Sequence, residues 1–188
     1  MNARYTVWCI LFVLMAQASI GAKANLTTLL NGFENRDELM PIWRKDLKRY
    51  AGRWRPQGTK LRLSTCYVTQ GMYSACVAFT QLGARWAGLA CYPKIDDWSE
   101  YHTFAFDAYW AGSQPLTLRL RLDDARGRKA WLSFHLKPKS LACLRLNLAD
   151  VGRQIDLRQV TLLYLSGSRP ERGRGTEATN ATSTHLAD

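Results

Sequence analysis

Short segments of alternating apolar and polar residues, separated by turn-forming residues, recur along most of this chain. A period of two places every second side chain on the same side of a β-strand. Glycine, proline, serine and aspartate are frequent in the intervals, as in "AGSQP" and "KPKS". The alternating segments are residues 60–68, 73–79, 86–92, 102–110, 116–124, 129–137, 142–148 and 159–165. Their short, even spacing predicts an all-β fold, a two-sheet antiparallel β-sandwich of the jelly-roll type.

The first 24 residues predict a signal peptide. Arg4 precedes the apolar run "YTVWCILFVLMA", and "AKA" at residues 22–24 fits the small-residue rule for cleavage. The run is short for a membrane-spanning helix, which needs roughly 20 apolar residues; an uncleaved anchor is the alternative. Cleavage would remove Arg4, Lys23 and no acidic residue, which lowers the formal net charge from +11 to +9. We therefore expect a secreted or periplasmic protein with no transmembrane anchor after cleavage.

The remainder of the chain predicts one folded domain and one tail. The domain is expected to span residues 25–166. The segment from residue 167 onward, "GSRPERGRGTEATNATSTHLAD", has almost no large apolar side chains, so residues 167–188 are predicted to be a disordered tail. Within the domain, only residues 35–54 have a pattern that would suit a helix.

Four cysteines follow the predicted signal peptide: Cys66, Cys76, Cys91 and Cys143. An even number of cysteines in an exported protein predicts up to two disulfides, and buried free thiols are the alternative. Four cysteines allow three pairings, and their spacing does not choose among them. There is no CxxC pair and no Cys/His pair at zinc-ligand spacing, which argues against a zinc site.

The stretch "DDWSEYHTFAFDAYW", residues 96–110, is rich in aromatic side chains. It would suit either a ligand platform or the entry into a core strand. Alternation places Phe104 and Phe106 on one side of the strand and Tyr109 on the other. We interpret the stretch as a strand entry in which Trp98 and Tyr101 close one end of the sandwich.

The outward positions of the central strands predict a ligand-binding surface. If these strands share one sheet, arginine, aromatic and imidazole groups form a single patch. Aromatic rings stack on the apolar face of a sugar, and arginine binds a carboxylate or sulfate through two hydrogen bonds. An ordinary solvated sheet face is the alternative. The candidate residues of the patch are Tyr109, Arg119, Arg121, Trp131, His135 and Arg145.

A second candidate is the basic run "WRKDLKRYAGRWRPQGTKLR", residues 43–62, which holds eight basic residues against one acidic. Basic residues interleaved with aromatic rings are typical of polyanion binding, and Trp54 is the candidate ring. A helix or loop with a solvated basic face is the alternative reading. No GxSxG, HExxH or phosphate-binding loop is present, so we predict no catalytic residues and favour a protein that is not an enzyme.

Five pieces of the chain, in order, resemble secreted carbohydrate-binding-module-like jelly rolls of the galactose-binding-like superfamily. They are "LLNGFEN", "CYVTQGMYSACVAF", "DDWSEYHTFAFDAYW", "LTLRLRLDD" with "WLSFHLKP", and "LRLNLADVGRQIDLRQVTLLYL". Together they cover about residues 28–165. The resemblance implies a jelly-roll fold that binds a polysaccharide or another glycan, with no specific nucleic-acid partner.

The resemblance also implies a structural calcium ion where the first and last strands pair. Glu34 matches the N-terminal acidic residue of that site. The expected last strand and its acidic residue have no counterpart in the polar tail, so Glu34 is left without that partner, which argues against the calcium site, and no cofactor is expected. We therefore expect an open sheet edge beside residues 159–165 and self-association through that edge.

Two functions follow from these observations, and a jelly-roll lyase or hydrolase is a third, less favoured alternative. The first is an exported, non-catalytic carbohydrate-binding module that prefers acidic glycans because of its net charge, +9 after cleavage. The second is a cationic envelope protein that binds polyanions without sugar specificity. Salt separates them, because binding driven by counterion release falls steeply as salt rises.

Overall fold

A computed structural model describes residues 5–15, 27–31, 33, 42–44, 49–51, 54–79, 88–168 and 182–185. Side chains are described at residues 28, 30 and 33 and throughout residues 58–79 and 88–168. The strands are β1 (Tyr5–Met15), β2 (Thr27–Asn31), β3 (Ile42–Arg44), β4 (Arg49–Ala51), β5 (Trp54–Gln57), β6 (Thr59–Ser64), β7 (Ser74–Phe79), β8 (Gly88–Cys91), β9 (Thr103–Trp110), β10 (Leu116–Asp124), β11 (Lys129–Leu136), β12 (Ser140–Asn147), β13 (Val160–Ser168) and β14 (Thr182–His185). A short helix, α1 (Leu148–Gly152), and one 3₁₀ turn, Leu157–Gln159, lie between β12 and β13.

The described strands form two main antiparallel sheets. One has the order β14-β12-β9-β1-β7-β6, with β2 paired to β1, and the other has the order β11-β10-β13-β8-β5. Strands β3 and β4 pair with each other. All eight strands predicted from alternation are present, from β6 to β13. The predicted two-sheet antiparallel β-sandwich is therefore confirmed.

The apolar sides of the two sheets meet in one core. The ring of Phe106 on β9 contacts the ring of Phe134 on β11 edge to face, with centroids 5.6 Å apart, and so joins the sheets. The residues that alternation assigns to this core are all buried: Phe104, Phe106, Leu118, Leu120, Phe134, Leu144 and Leu146. The polar sides of the two sheets consequently face away from each other.

Residues 96–110 form a strand entry, as predicted. Trp98 is fully buried, and its indole N–H donates to the carbonyl of Ile95 at 2.8 Å. The Trp98 ring stacks on Phe104 with centroids 5.3 Å apart. These contacts make Trp98 a core residue at one end of the sandwich.

Two features differ from the sequence-based expectations, the helix and the open edge, and two strands lie in segments that were predicted to be outside the domain. The described parts of residues 35–54 are strand, and the short helix α1 follows β12, where Asn147 accepts a hydrogen bond from the N–H of Ala149 at 2.9 Å as its N-cap. Strands β1 and β14 lie in the segments predicted to be signal peptide and tail. Strand β13 is paired on both sides, with β10 and β8, so the open edge predicted beside residues 159–165 is not found there.

Cys66, Cys76, Cys91 and Cys143 are all free thiols, and the predicted disulfide is not seen among them. Cys91 lies on the five-stranded sheet, whereas Cys76 and Cys143 lie on the other sheet, so the sandwich separates Cys91 from these two. Burial raises the pKa of the Cys91 thiol to about 12, although the charge of Lys94 acts in the opposite direction.

Candidate functional site

The single patch predicted from the sequence is divided between the two outer faces of the sandwich. Arg119 and Arg121 on β10 and Trp131 and His135 on β11 belong to the five-stranded sheet. Tyr109 and Arg145 belong to β9 and β12 of the seven-stranded sheet. Alternation indicates which side of a strand a residue occupies, but it does not indicate to which sheet the strand belongs.

We call the outer face formed by β10, β11 and β13 the Trp131 face. Directly opposed residues on antiparallel strands lie on the same side of the sheet, so its members follow from the strand register. The outward residues of the Trp131 face are Thr117, Arg119, Arg121, Asp123, Lys129, Trp131, Ser133, His135, Leu162, Tyr164, Ser166 and Ser168.

Trp131, Arg121 and Tyr164 form one row across the three strands of this face. Arg121 lies opposite Trp131 on β11 and opposite Tyr164 on β13. Trp131 is 51% exposed. Among the described residues, it belongs with Tyr67 and Met72 to the large apolar residues that are exposed to solvent. The guanidinium carbon of Arg121 is 5.6 Å from the centroid of the Trp131 ring, within the range of a cation–π contact.

Arg121 is also paired with Asp123, two residues along the same strand. Nε of Arg121 donates to Oδ1 of Asp123 at 2.5 Å, and Nη2 of Arg121 donates to Oδ2 of Asp123. The hydrogen bonds that Arg121 donates to Asp123 raise the pKa of Arg121, against the opposing effect of burial. The pair holds the guanidinium beside the Trp131 ring and cancels the positive charge of Arg121.

Two hydroxyl groups on β13 lack hydrogen-bond partners among the described residues. The phenolic oxygen of Tyr164 and the hydroxyl of Ser168 are both buried and unpaired. Burial raises the pKa of Tyr164, while the nearby charge of Arg121 acts in the opposite direction. Buried hydroxyls without partners are costly, so each is a position where a further polar group would be stabilising.

At the far end of the same face, Thr117 and His135 interact across β10 and β11. The Thr117 hydroxyl lies 3.3 Å from Nδ1 of His135. His135 is exposed and Thr117 is buried. The imidazole therefore has one nitrogen near Thr117, and its outer edge faces solvent.

Asp124 fixes the β10–β11 hairpin that carries Trp131 and Arg121. Its side chain is only 1% exposed, and its carboxylate accepts four hydrogen bonds. The backbone N–H groups of Arg126 and Arg128 donate to Oδ1, each at 2.9 Å. The N–H of Asp156 and Nε of Arg128 donate to Oδ2, at 2.8 and 2.6 Å. The hairpin turn is thereby bound to the segment that leads into β13.

The opposite outer face carries a second aromatic group. Tyr67 in the loop after β6 stacks on Tyr109 of β9, with centroids 3.7 Å apart and planes 10° from parallel. The Thr69 hydroxyl donates to Oδ2 of Asp107 at 2.7 Å. A hydrogen bond with Tyr67 raises the pKa of Tyr109. The loop after β6 is thus held over β9, and Tyr109 already has a ring on its face.

Arg145, on this same outer face, is exposed and lies near Cys143. Burial raises the pKa of the Cys143 thiol, a hydrogen bond with Arg145 lowers it, and one with Asp107 raises it. Arg145 is therefore associated with a thiol and a carboxylate and is separated from Trp131 by the thickness of the sandwich.

The remaining candidates are described only in part. Trp54 lies in β5, opposite Cys91 in the strand register, and its side chain is outside the described residues. Glu34, the candidate calcium ligand, also lies outside them. Among the side chains that are described, no three of His, Cys, Asp or Glu are grouped as a metal site.

The sequence interpretation did not include Asp123, Tyr164 or Tyr67 among the site residues. Asp123 follows Arg121 by two residues, and Tyr164 lies between two core leucines, so a period of two applied to β10 and β13 would have placed both on the outer face. No comparable signal exists for Tyr67, because it lies in a loop, where no two-residue period applies. Its φ is 53°, a value that non-glycine residues seldom adopt.

Comparison with protein-family models, curated proteins and solved structures finds no match for this chain. The resemblance to the galactose-binding-like superfamily therefore stays a prediction. In the part of the chain that the structure describes, no helix is long and apolar enough to cross a membrane.

Proposed function

We propose that this protein is an exported, non-catalytic carbohydrate-binding domain and that a polysaccharide or other glycan binds to the Trp131 face. The observation that supports this most is the position of Trp131. Its ring is half exposed on a sheet surface and is positioned by a neighbouring ion pair. A fixed, exposed ring loses little conformational entropy when a ligand stacks on it.

The groups around Trp131 have the chemistry that a sugar ring requires. A flat aromatic ring packs against the apolar face of the sugar, and adjacent polar groups bind its hydroxyls. The exposed edge of His135 supplies a donor or an acceptor, whereas Arg121 and Asp123 are paired with each other, are 14% and 12% exposed, and offer a ligand only the outer edge of their ion pair. The Arg121–Asp123 pair is neutral as a unit, and Arg119 and Lys129 add positive charge to the same face, so the surface suits anions as well as hydroxyl-rich ligands.

The preference for acidic glycans rests on the charge of the whole chain. After removal of residues 1–24 the formal net charge is +9, the full-chain +11 less Arg4 and Lys23, and this charge attracts an anionic ligand over distances beyond direct contact. Arg121 adds little to this attraction, because Asp123 neutralises it. We therefore expect acidic glycans to bind faster than neutral ones, with stacking on Trp131 common to both.

Export follows from the predicted signal peptide in residues 1–24. Secretion or transfer to a periplasm would bring the domain into contact with extracellular or cell-wall polysaccharides.

The second function is polyanion binding without sugar specificity, by a cationic envelope protein. The sequence pI of about 9.7 and the basic run in residues 43–62 favour it. In that case binding would follow charge density alone, and Trp131 would make no difference.

A glycan-array screen of the exported protein at about 50 mM and about 200 mM salt distinguishes the two functions. A protein that neutralises 6–10 anionic groups loses about 10³–10⁵ in affinity between these concentrations. A carbohydrate-binding domain should instead keep a selective set of glycans at the higher salt. Uniform loss of all signals, or equal binding to heparin-like and nucleic-acid polyanions, would support the second function and refute the first.

A further inference from the structure

Strand β1 occupies a central position in the seven-stranded sheet. Residues 5–9 pair with β7, and residues 7–15 pair with β9. Among the described strands, β7 and β9 have no pairing with each other, and β2 pairs with β1. Without β1, the described sheet would separate into a β6–β7 hairpin and a β9–β12–β14 unit.

The register of β1 matches the core pattern of its neighbours. Val7, Cys9, Phe12 and Leu14 lie opposite four buried residues of β9, namely Trp110, Ala108, Phe106 and Phe104. On the other side, Val7 and Cys9 lie opposite two buried residues of β7, Val77 and Ala75. Directly opposed residues lie on the same side of a sheet, so these four positions of β1 are core positions.

The neighbouring strands are also matched to β1 in length and direction. All eight residues of β9, Thr103–Trp110, are in register with β1, and β7 contributes five, from Ala75 to Phe79. Both pairings are antiparallel, so β7 and β9 run in the same direction with space for one strand between them. An unfilled position of this kind has two rows of unpaired N–H and C=O groups, which bind extended segments.

We propose that the position between β7 and β9 is a strand-accepting site and that Tyr5–Met15 is its occupant in this chain. The site takes an extended, antiparallel segment with apolar residues at the core positions. The register between this segment and β9 breaks after the second core position, which is Cys9 in this chain. This proposal does not depend on carbohydrate binding.

The same residues are predicted to be part of a signal peptide, so two roles compete for them. If residues 1–24 stay with the domain, the site is filled. If they are removed during export, the site opens and an extended apolar segment of another chain can fill it. The N-terminal segment would then control whether the domain is self-contained or needs a partner strand.

The test uses the full-length chain with a site for a specific protease introduced within residues 16–26. The folded protein is cut, and size-exclusion chromatography with mass spectrometry shows whether the N-terminal fragment accompanies the remainder. We expect the fragment to stay bound. We also expect an excess of labelled peptide of residues 4–16 to replace it.

Three controls make the result specific. The same protease site within residues 169–181 should release β14, a four-residue strand paired with β12. A competing peptide with Trp8→Pro should bind at least tenfold more weakly, because Trp8 lies opposite both Cys76 and Tyr109 and proline cannot donate to either neighbour. A Trp8→Ala peptide separates the loss of the ring from the loss of the N–H.

Retention of the fragment together with exchange for the labelled peptide supports the strand-accepting site. Release of the fragment on cutting would overturn the proposal, whether or not the remainder stays folded. Equal competition by the Trp8→Pro and unmodified peptides would overturn it as well, since binding would then not require strand pairing.

Discussion

Replacing Asp124 with asparagine should destabilise the sandwich without removing any large side chain. The carboxylate of Asp124 accepts two hydrogen bonds on each oxygen, and all four donors belong to the hairpin turn or to the segment before β13. An amide has one oxygen and one NH₂ group, and the NH₂ group cannot accept. In Asp124→Asn the side-chain NH₂ group replaces one carboxylate oxygen. The two buried N–H groups that donated to that oxygen then lose their acceptor and face the NH₂ group, which is itself a donor.

The pKa of Asp124 gives the magnitude. Burial would raise this pKa, but hydrogen bonds from the N–H of Asp156, the N–H and guanidinium of Arg128 and the N–H of Arg126 hold it at about 2, against the ordinary 3.8. At about 1.4 kcal/mol per pKa unit, loss of the negative charge costs about 2.5 kcal/mol. Buried donors without an acceptor cost about 1–3 kcal/mol each. We expect Asp124→Asn to lower the free energy of unfolding by about 3 kcal/mol.

Guanidinium chloride unfolding at pH 7 measures this change, and Asp150→Asn is the matched control. Asp150 is a partly exposed carboxylate whose ion pair with Arg153 spans 3.2 Å, and a surface pair of this kind contributes about 0–1 kcal/mol. A loss below about 1 kcal/mol for Asp124→Asn, or an equal loss in both variants, would refute the assignment of Asp124 as the residue that fixes the hairpin.

The same reasoning fixes the dependence on pH. The folded pKa of Asp124 lies below its unfolded value, which is about 3.9. Its contribution is therefore complete above about pH 4 and is lost as pH falls towards about 2. The difference in stability between the natural chain and Asp124→Asn should shrink over that interval, and a difference that stays constant would contradict the low pKa.

Three further predictions concern the core and the thiols. Phe106→Ala should lower the free energy of unfolding by about 3–5 kcal/mol, because the buried ring contacts Phe134 across the two sheets; a loss below about 1 kcal/mol in chemical denaturation would mean that the core faces are inverted. Gly88→Ala should lower the midpoint of thermal unfolding, since a Cβ there would lie 2.2 Å from a backbone carbonyl oxygen of β13; an unchanged midpoint would contradict that approach. In the folded protein at pH 8, iodoacetamide should label Cys66, which is exposed, and leave Cys91 unlabelled, since burial raises the pKa of Cys91 to about 12; mass spectrometry that finds Cys91 modified first would show that β8 is not buried.

Alternation was sufficient to predict eight strands and, for β9 to β12, the side that enters the core. Leu118 and Leu120 illustrate why, because a leucine at every second position leaves only one side that is able to pack. Sheet membership was not predictable in this way. Strands β9 and β10 have the same alternation, yet β9 pairs with β12 and β10 pairs with β11. Tyr109 and Trp131 consequently lie on opposite faces of the sandwich.

The N-terminal segment shows a different limit of the sequence. An uninterrupted apolar run such as "YTVWCILFVLMA" suits a signal peptide, and it also suits a strand that is paired on both sides. Only the register with β7 and β9 reveals the second role. The short helix α1 was missed because five residues are too few for a helical period, although the asparagine before it is a typical N-cap.

The central claim is that a sugar ring stacks on Trp131, and a titration of three proteins tests it. The natural chain, Trp131→Ala and Tyr67→Ala are each titrated with the best glycan from the array, by isothermal calorimetry at about 200 mM salt, where binding through charge alone is weak. Tyr67 is the matched control, because it is a comparably exposed aromatic residue, at 47%, on the opposite face. Trp131→Ala should weaken binding at least tenfold, a loss of about 1.4 kcal/mol or more, while Tyr67→Ala should leave it unchanged. Weakening by Tyr67→Ala with full binding by Trp131→Ala would place the site on the other face and contradict the account.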